Sequence, residues 1–231
     1  MIFRLDEDPS SPFPDVALAE TEPNGLLAVG GDLSPERLIN AYRQGIFPWF
    51  SEHEPILWWS PDPRTVLYPQ NIRISRSLRK TLRKGIFKVS FDNAFAQVIR
   101  ACSQPRAGSP GTWLLPEMIS AYRQLHALGL AHSVEVWQDG RLVGGLYGVA
   151  IGGVFYGESM FSWVSDSSKA ALVHLCRLSL EVDIRLIDCQ VYTNHLISLG
   201  AEEIPRAQFC RHLDDWCNLE GYPGPWSSYP I

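Results

Sequence analysis

The order of apolar and polar positions along the chain predicts alternating helices and strands. Ser34 and Pro35 form a typical helix start. Leu38 and Tyr42 give that helix an apolar face, and Gly45 ends it. Further helices are predicted over residues 75–84, 91–103, 116–128, 167–180 and 194–199, and strands over 133–137, 141–162 and 185–191, with turns at Asp139-Gly140 and Gly152-Gly153. This order of elements predicts an α/β or α+β layer fold.

The distribution of proline divides the chain into two parts. Nine of the 17 prolines fall within the first 65 residues, and Asn24-Gly25 adds a strong turn signal there. The segment from Trp58 to Arg64 has the character of a rigid connector. We therefore predict a small, turn-rich N-terminal domain over residues 1–64 and a larger domain over residues 65–231.

Basic residues are concentrated in one stretch around residue 80. Between Asn71 and Ser90 the chain has seven basic residues and no acidic one. Five of them recur at helical spacing and share one face, namely Arg76, Arg79, Lys80, Arg83 and Lys84. The net charge of −5 argues against a nucleic-acid partner for the chain as a whole. Solvated helix faces normally carry charges of both signs, so this purely basic stripe favours phosphate binding. A solvated basic face is the alternative.

Two polar side chains interrupt an otherwise apolar strand. Asp188 and Gln190 are two positions apart, which predicts that they share one face of the strand. Glu158 is the only charged residue between Arg141 and Asp166, and we expect it to face Asp188 across the sheet. Two carboxylates in one pocket would attract a cationic substrate and orient an amine. The alternatives are a structural, partnered aspartate and a surface glutamate at the end of a hairpin.

Several classes of protein are disfavoured by the composition. The five cysteines are odd in number and include no Cys-x-x-Cys pair, so we expect neither a disulfide framework nor a metal site. The Gly-rich segments at 30–31 and 144–148 lack the pattern of nucleotide-binding loops, and tight turns or close approach of strands explain them better. No transmembrane stretch and no signal peptide are expected, and we predict a cytoplasmic protein without a membrane partner.

Ordered sequence blocks resemble one known family. The blocks are Asn24-Gly25-Leu26-Leu27-Ala28-Val29-Gly30-Gly31-Asp32-Leu33, Gly45-Ile46-Phe47-Pro48-Trp49, Trp59-Ser60-Pro61, Gly111-Thr112-Trp113, His132-Ser133-Val134-Glu135, Gly144-Gly145-Leu146-Tyr147-Gly148, Gly157-Glu158-Ser159-Met160-Phe161-Ser162, Ser168-Lys169 and Ile187-Asp188-Cys189-Gln190. Together they resemble the leucyl/phenylalanyl-tRNA–protein transferases from about residue 2 to about residue 210. Blocks in this order over such a span are far more specific than any one block alone.

The resemblance implies a fold, an activity and partners. The implied fold is α+β, with a small N-terminal domain followed by a domain like that of the GCN5-related N-acetyltransferases. Such enzymes move Leu or Phe, and less well Met, from its tRNA to the N-terminal Arg or Lys of a protein. The product is marked for degradation by the bacterial N-degron pathway. The implied partners are Leu-tRNA, Phe-tRNA and proteins or peptides with N-terminal Arg or Lys, and we expect a monomer.

The resemblance also implies roles for individual residues. Asp188 and Gln190 match a polar pair at the peptide-transfer centre, and Glu158 matches a residue near it. The apolar pocket for the aminoacyl side chain matches Leu146, Phe155, Leu175 and Ile187, the site of the terminal tRNA adenosine matches Trp49 and Trp113, and the basic helix matches the tRNA-binding cluster. The family pattern has Met at the first pocket position and Phe at the third, so Leu at both keeps the pocket apolar but changes its shape. By their Pro- or Gly-flanked context alone, the two tryptophans are equally well explained as loop anchors.

The chemistry of the implied reaction needs no cofactor and no metal. Aminoacyl-tRNA is already an activated ester, and roughly a tenth to a fifth of a protein α-amine is neutral near pH 7. Positioning that amine on the carbonyl can therefore supply much of the rate. We expect Asp188 to orient Gln190 and to favour capture of the ammonium form, and Gln190 to hydrogen-bond the attacking amine.

Two other functions are weighed against this one. An acyl-CoA acyltransferase of the same fold would need a Gly-rich turn before a helix to hold the pyrophosphate, and residues 161–166 contain no glycine. A non-catalytic RNA-binding module would explain the basic helix but not the polar pair in a buried strand.

Overall fold

Two β-sheets organise this protein, whose computed structural model describes residues 2–105, 114–222 and 224–229. The smaller sheet has four strands in the order β1-β2-β4-β3. They are β1 (Phe3–Leu5), β2 (Leu26–Gly30), β3 (Phe47–Pro48) and β4 (Leu57–Trp59). Helix α1 (Pro35–Arg43) connects β2 to β3, and its N-cap Ser34 accepts a hydrogen bond from the backbone N–H of Arg37, as predicted.

The larger sheet has seven strands in the order β11-β5-β10-β9-β8-β7-β6. They are β5 (Arg64–Leu67), β6 (Lys88–Phe91), β7 (Ala131–Gln138), β8 (Arg141–Ile151), β9 (Val154–Ser162), β10 (Leu186–Gln190) and β11 (Glu202–Ile204). Strand β10 runs parallel to β9, and the other neighbouring pairs are antiparallel. The parallel pair needs a crossover connection, which the helix between β9 and β10 supplies.

Helices cover both faces of the larger sheet. They are α2 (Arg76–Arg83), α3 (Phe95–Cys102), α4 (Pro116–Ala127), α5 (Ser167–Glu181), α6 (Asn194–Ser198) and α7 (Arg206–Trp216). Side chains of α3 and α4 join one buried apolar cluster and those of α5 join the other. Successive side chains of β8 point to opposite faces of the sheet, since Tyr147 belongs to the first cluster and Leu146 to the second. Of the two layer folds that the pattern allowed, α/β and α+β, the structure has the α+β one, which the resemblance also implied. Within the described residues, no helix is long and apolar enough to cross a membrane.

One predicted helix begins later than expected. The prediction placed its start at Phe91, but Phe91 ends strand β6 and the helix begins at Phe95. Strand β6 pairs with β7, which places Phe91 opposite Val134. Between strand and helix, Asp92 turns the chain with a φ of +55° while its carboxylate accepts the backbone N–H of Ser133. The pairing partner lies some 40 residues away, so local periodicity did not reveal it.

The small sheet shares its core with the large one. Leu27 and Tyr42 belong to the same buried cluster as Tyr156 and Phe209. The division of the chain at residues 64 and 65 stays a prediction, and Arg64 is already the first residue of β5. The close approach of strands predicted for the Gly-rich segment at 144–148 is confirmed, because a Cβ at Gly145 would collide with the backbone of β7 and one at Gly148 with the backbone of β9.

Candidate active site

A cavity of about 750 Å³ opens where β8, β9, α5 and β10 meet. The four residues expected to form the aminoacyl pocket all line it, and they are Leu146, Phe155, Leu175 and Ile187. Glu158 and Gln190 line the same cavity. An apolar pocket and a pair of polar side chains are thus joined in one space, which is a common arrangement in binding sites for small ligands.

Glu158 is the polar centre of this cavity. Its carboxylate is buried and accepts three hydrogen bonds. Atom Oε1 accepts from the Tyr42 hydroxyl at 2.8 Å and from Gln190 Nε2 at 3.1 Å, and Oε2 accepts from the Tyr122 hydroxyl at 2.6 Å. Burial raises the pKa of Glu158 to about 7, helped by the charge of Asp188 and opposed by the hydrogen bonds from the two tyrosines and Gln190.

The two tyrosines are functional candidates that the sequence did not reveal. Tyr42 lies on α1 and Tyr122 on α4, and their hydroxyls are 2.8 Å apart. Both rings are fully buried, and each occupies a position on the apolar face of its helix. An apolar position in a helix predicts core packing, so no local signal distinguished these two side chains from other core residues.

Asp188 does not face the cavity but forms a buried ion pair with Arg64. Its two carboxylate oxygens accept from Arg64 Nε at 2.8 Å and from Arg64 Nη2 at 2.7 Å, and neither side chain is exposed. The Arg64 guanidinium also donates to the carbonyl of Gly45 and lies between the rings of Phe47 and Phe209, 4.8 and 4.6 Å from their centroids. The expectation of two carboxylates sharing one pocket is therefore wrong, because the charge of Asp188 is already paired.

The end of strand β10 is bulged, which separates Asp188 from Gln190. Strand alternation places Ile187 and Cys189 on the face of β10 that lines the cavity. Gln190 also lines the cavity, although alternation would place it on the opposite face. The register against β5 shifts between residues 188 and 190, and Gln190 has a φ of +65°, in the left-handed region. The prediction that Asp188 and Gln190 share one face of the strand is thus wrong. Instead, Asp188 Oδ1 accepts the backbone N–H of Gln190 at 2.9 Å, which holds the bulge in place.

Trp49 lies at the rim of the cavity. Its side chain is 49% exposed, although it is a large apolar group. Its ring lies 5.6 Å from that of Trp59, whose Nε1 donates to the carbonyl of Trp49 at 2.6 Å. Trp163, 61% exposed, also lines the cavity, and no prediction had included it. The other predicted adenosine contact, Trp113, lies outside the described residues.

The predicted basic helix exists as α2. Ser75 caps its start by accepting the backbone N–H of Leu78, whose side chain is buried against the core. All five predicted cations are exposed, namely Arg76, Arg79, Lys80, Arg83 and Lys84. Among the described residues, none of the five forms an ion pair. Thr81 on the same helix donates to Asp166, which immediately precedes α5, so α2 adjoins the helix that lines the cavity.

No group of three or more His, Cys, Asp or Glu side chains within the described ranges is arranged to hold a metal ion. Cys189 is the cysteine that lines the cavity among the described residues. Burial raises the pKa of its thiol, which keeps the sulfur protonated and weakly nucleophilic. Glu158 and Gln190 form a directly hydrogen-bonded polar pair in the cavity, and His195 and Thr193 also line it.

Comparisons with known proteins identify the family. The family model described as "Leucyl/phenylalanyl-tRNA protein transferase" matches residues 66–214, and the model of that family's N-terminal domain matches residues 31–62. The chain belongs to the leucyl/phenylalanyl-tRNA protein transferase family. Membership makes it an aminoacyltransferase, and the resemblance found in the ordered sequence blocks is confirmed.

Curated members of the family are similar over nearly the whole chain. The leucyl/phenylalanyl-tRNA–protein transferase of Aromatoleum aromaticum is 60% identical over 215 residues, which cover 93% of this chain and 91% of that protein. The protein of the same name from Cellvibrio japonicus is 61% identical over 215 residues and covers 93% of this chain and 92% of its own.

Solved structures are more distantly similar. A GCN5-related N-acetyltransferase from Kribbella flavida is 13% identical with a TM-score of 0.36, covering 73% of this chain and 60% of that one. A TM-score at this level does not establish a common fold. The acetyltransferase-like fold of the larger domain therefore stays a prediction, within an architecture that is α+β.

Proposed function

We propose that this enzyme moves Leu or Phe, and less well Met, from aminoacyl-tRNA to the N-terminal Arg or Lys of a protein, marking that protein for degradation by the N-degron pathway. The observation that carries the proposal is the single cavity in which an apolar pocket meets the Glu158–Gln190 pair. The pocket suits the side chain of the donor amino acid, and the polar pair suits the amine of the acceptor.

The pocket supports transfer of an apolar amino acid. Leu146, Phe155, Leu175 and Ile187 are aliphatic or aromatic and buried, and Phe155 forms part of the wall without exposure to solvent. Burying a Leu or Phe side chain there stabilises the bound state by about 1.5–3 kcal/mol. A charged aminoacyl group would lose its hydration without gaining a partner from these four residues.

The rim of the cavity supports binding of the tRNA end. Trp49 is half exposed, and base stacking on an aromatic ring contributes about 1–3 kcal/mol. The exposed cations of α2 would contact phosphates further along the acceptor stem, and neutralising phosphates gives affinity that falls with salt. In this proposal, Trp49 holds the terminal adenosine and α2 holds the backbone.

The Glu158–Gln190 pair supports binding of the acceptor amine. An ionised carboxylate only accepts hydrogen bonds, so the Gln190 amide nitrogen faces Glu158 and the amide oxygen is left to accept from the α-amine. Glu158 is the only acidic residue that lines the cavity within the described part of the chain. Its pKa of about 7 leaves it partly ionised near neutral pH, and in the ionised form its charge favours a cationic N-terminal residue, Arg or Lys, over an acidic one.

The transfer itself is an aminolysis of the ester. The neutral α-amine attacks the ester carbonyl, the new C–N bond forms, and the bond between the carbonyl carbon and the ribose oxygen breaks. The proton that the amine loses passes to the ribose oxygen, directly or through water. The contribution of the protein is to hold the amine against the carbonyl, which by itself accounts for much of the rate in well-oriented reactions.

Asp188 acts in this scheme as a positioning residue. Its carboxylate fixes the backbone of Gln190 and is fixed in turn by Arg64. Replacing Asp188 by Ala would leave the Arg64 cation buried without a partner, so loss of activity in that variant would report loss of folding as well. The Asp188→Asn variant also removes the counter-charge of Arg64, but it keeps an acceptor for the Gln190 N–H and disturbs the site less.

The experiment that tests the proposal is transfer of radiolabelled Leu or Phe from tRNA to a peptide with N-terminal Arg. We expect the wild-type enzyme to catalyse transfer and Gln190→Ala to lower kcat by about 100-fold, in line with removal of a single well-placed hydrogen bond in an active site. Gln124→Ala, on the exposed side of α4, is the matched control and should retain full activity. Equal kcat values for wild type and Gln190→Ala would refute the proposed role.

A further inference from the structure

The C-terminal tail contributes a large buried side chain next to the pocket. Trp226 is wholly buried and belongs to the same apolar cluster as all four pocket residues. Its ring centroid is 5.8 Å from that of Phe155, with 33° between the ring planes. Trp226 does not itself line the cavity, so it forms a second layer behind the pocket wall.

A buried polar group fixes the position of Trp226. The backbone N–H of Trp226 donates to Asp92 Oδ2 at 2.8 Å, and the same oxygen lies 2.8 Å from His132 Nδ1. The imidazole of His132 stacks on the indole, with centroids 3.9 Å apart and planes 2° from parallel. Asp92 therefore holds Trp226 in two ways, by the backbone hydrogen bond and through the His132 ring, although the tail around it is rich in Pro and Ser.

The Phe155 ring also packs closely against the backbone of β8. On the neighbouring strand, a Cβ added to Gly148 would lie 2.6 Å from both Cε1 and Cζ of Phe155. The ring therefore rests directly against the backbone of β8, on a site that only glycine leaves open. With β8 on one side and Trp226 on another, the position of the ring in the pocket wall is set by these two neighbours.

We propose that Trp226 is a positioning residue for specificity, which acts through Phe155 to set the depth of the aminoacyl pocket. This inference rests on the proposed function, because it concerns which amino acid that reaction transfers. A smaller side chain at position 226 leaves space behind Phe155, into which the ring moves back. The deeper pocket then favours Phe over the shorter Leu.

The test is the ratio of kcat/KM for Phe-tRNA to that for Leu-tRNA, with an Arg-terminal peptide as acceptor. We expect Trp226→Leu to raise this ratio about three- to tenfold, less than a direct change in the pocket would. Phe13→Leu is the matched control, because Phe13 is a buried aromatic residue that packs on Trp58 in the other apolar cluster. It should lower thermal stability without changing the ratio.

The outcomes separate this inference from the proposed function. An unchanged ratio in a folded Trp226→Leu enzyme overturns the inference, and so does an equal change in Phe13→Leu. If Trp226→Leu does not fold, Trp226→Phe is measured, and it should raise the ratio in the same direction by a smaller factor; no change there overturns the inference. Absence of any transfer by the wild-type enzyme overturns the proposed function and this inference together.

Discussion

The basic helix α2 and the buried Arg64–Asp188 pair use charge in opposite ways. The five cations of α2 are exposed and form no ion pair within the described residues. Arg64 and Asp188 are both without solvent exposure and bind each other in a bidentate pair. An exposed cation remains available to a partner, whereas a buried, paired one is committed to the geometry of the fold.

This difference separates recognition from positioning. Charge on α2 can change without disturbing the core, because water solvates each side chain in the absence of tRNA. The charge of Arg64 cannot change in this way, because its guanidinium contacts Phe47 of the small sheet, Phe209 of α7 and Asp188 on the strand that carries Gln190. We therefore expect changes at α2 to affect substrate affinity and changes at Arg64 to affect stability.

The largest expected effect is on stability at the buried pair. Arg64→Leu leaves the Asp188 carboxylate buried without a counter-charge, and we expect the free energy of unfolding to fall by about 3–5 kcal/mol. Urea denaturation measures this. Arg79→Leu on the basic helix is the matched control and should change the free energy by less than about 0.5 kcal/mol. Similar losses in the two variants would remove the contrast between the regions.

A second effect concerns the pH dependence of stability. Burial raises the pKa of Glu158 from 4.5 to about 7 in the folded protein. The folded state therefore binds the proton more tightly than the unfolded state does. Glu158 therefore contributes most to the free energy of unfolding below pH 4.5. This contribution decreases by up to about 3 kcal/mol as the pH rises to about 7.

Glu158→Gln should flatten that dependence. We expect the difference in unfolding free energy between pH 5 and pH 7 to shrink relative to wild type, as measured by urea denaturation at each pH. Glu117→Gln, an exposed acid on α4, should leave the dependence unchanged. If the unfolding free energy of Glu158→Gln falls between pH 5 and pH 7 as much as that of wild type and Glu117→Gln, the assigned burial of charge at Glu158 is contradicted.

A smaller effect is expected on tRNA affinity. Reversal of Arg79, Lys80 and Arg83 to Glu should raise KM for aminoacyl-tRNA about tenfold or more and make its salt dependence shallower. The free energy of unfolding should change by less than about 1 kcal/mol, because all three side chains are exposed.

The matched control changes the same charge elsewhere on the surface. Arg141, Arg177 and Arg211 are exposed and lie outside α2, so their joint reversal to Glu alters net charge equally. It should leave KM for aminoacyl-tRNA within about threefold of wild type. An equal rise in KM for both triple variants would show that net charge, and not the basic helix, determines affinity.

The same contrast explains what could be predicted from the sequence. The basic helix was found because its spacing and its lack of acids are local features, and α2 lies where the pattern placed it. The residues of the apolar pocket were named through a family resemblance and meet in one cavity. Both signals can be read without knowing any long-range contact.

The buried polar residues were predicted only in part. Strand alternation located β10 but not the bulge that sends Gln190 to the cavity and Asp188 to Arg64. Arg64 is 124 positions from its partner, and nothing local distinguished it from a connector residue. The C-terminal tail offered no pattern at all, yet it supplies Trp226. Contacts between distant segments are set by tertiary packing, which a periodic pattern does not encode.

The most direct measurement of the central claim is acceptor choice by the wild-type enzyme. Labelled Leu-tRNA is supplied with four peptides that differ only in an N-terminal Arg, Lys, Asp or Met. The cavity joins an apolar donor pocket to the buried carboxylate of Glu158, so we predict transfer to the Arg and Lys peptides and little to the Asp and Met peptides. Equal transfer to all four peptides, or transfer to none, would contradict the account.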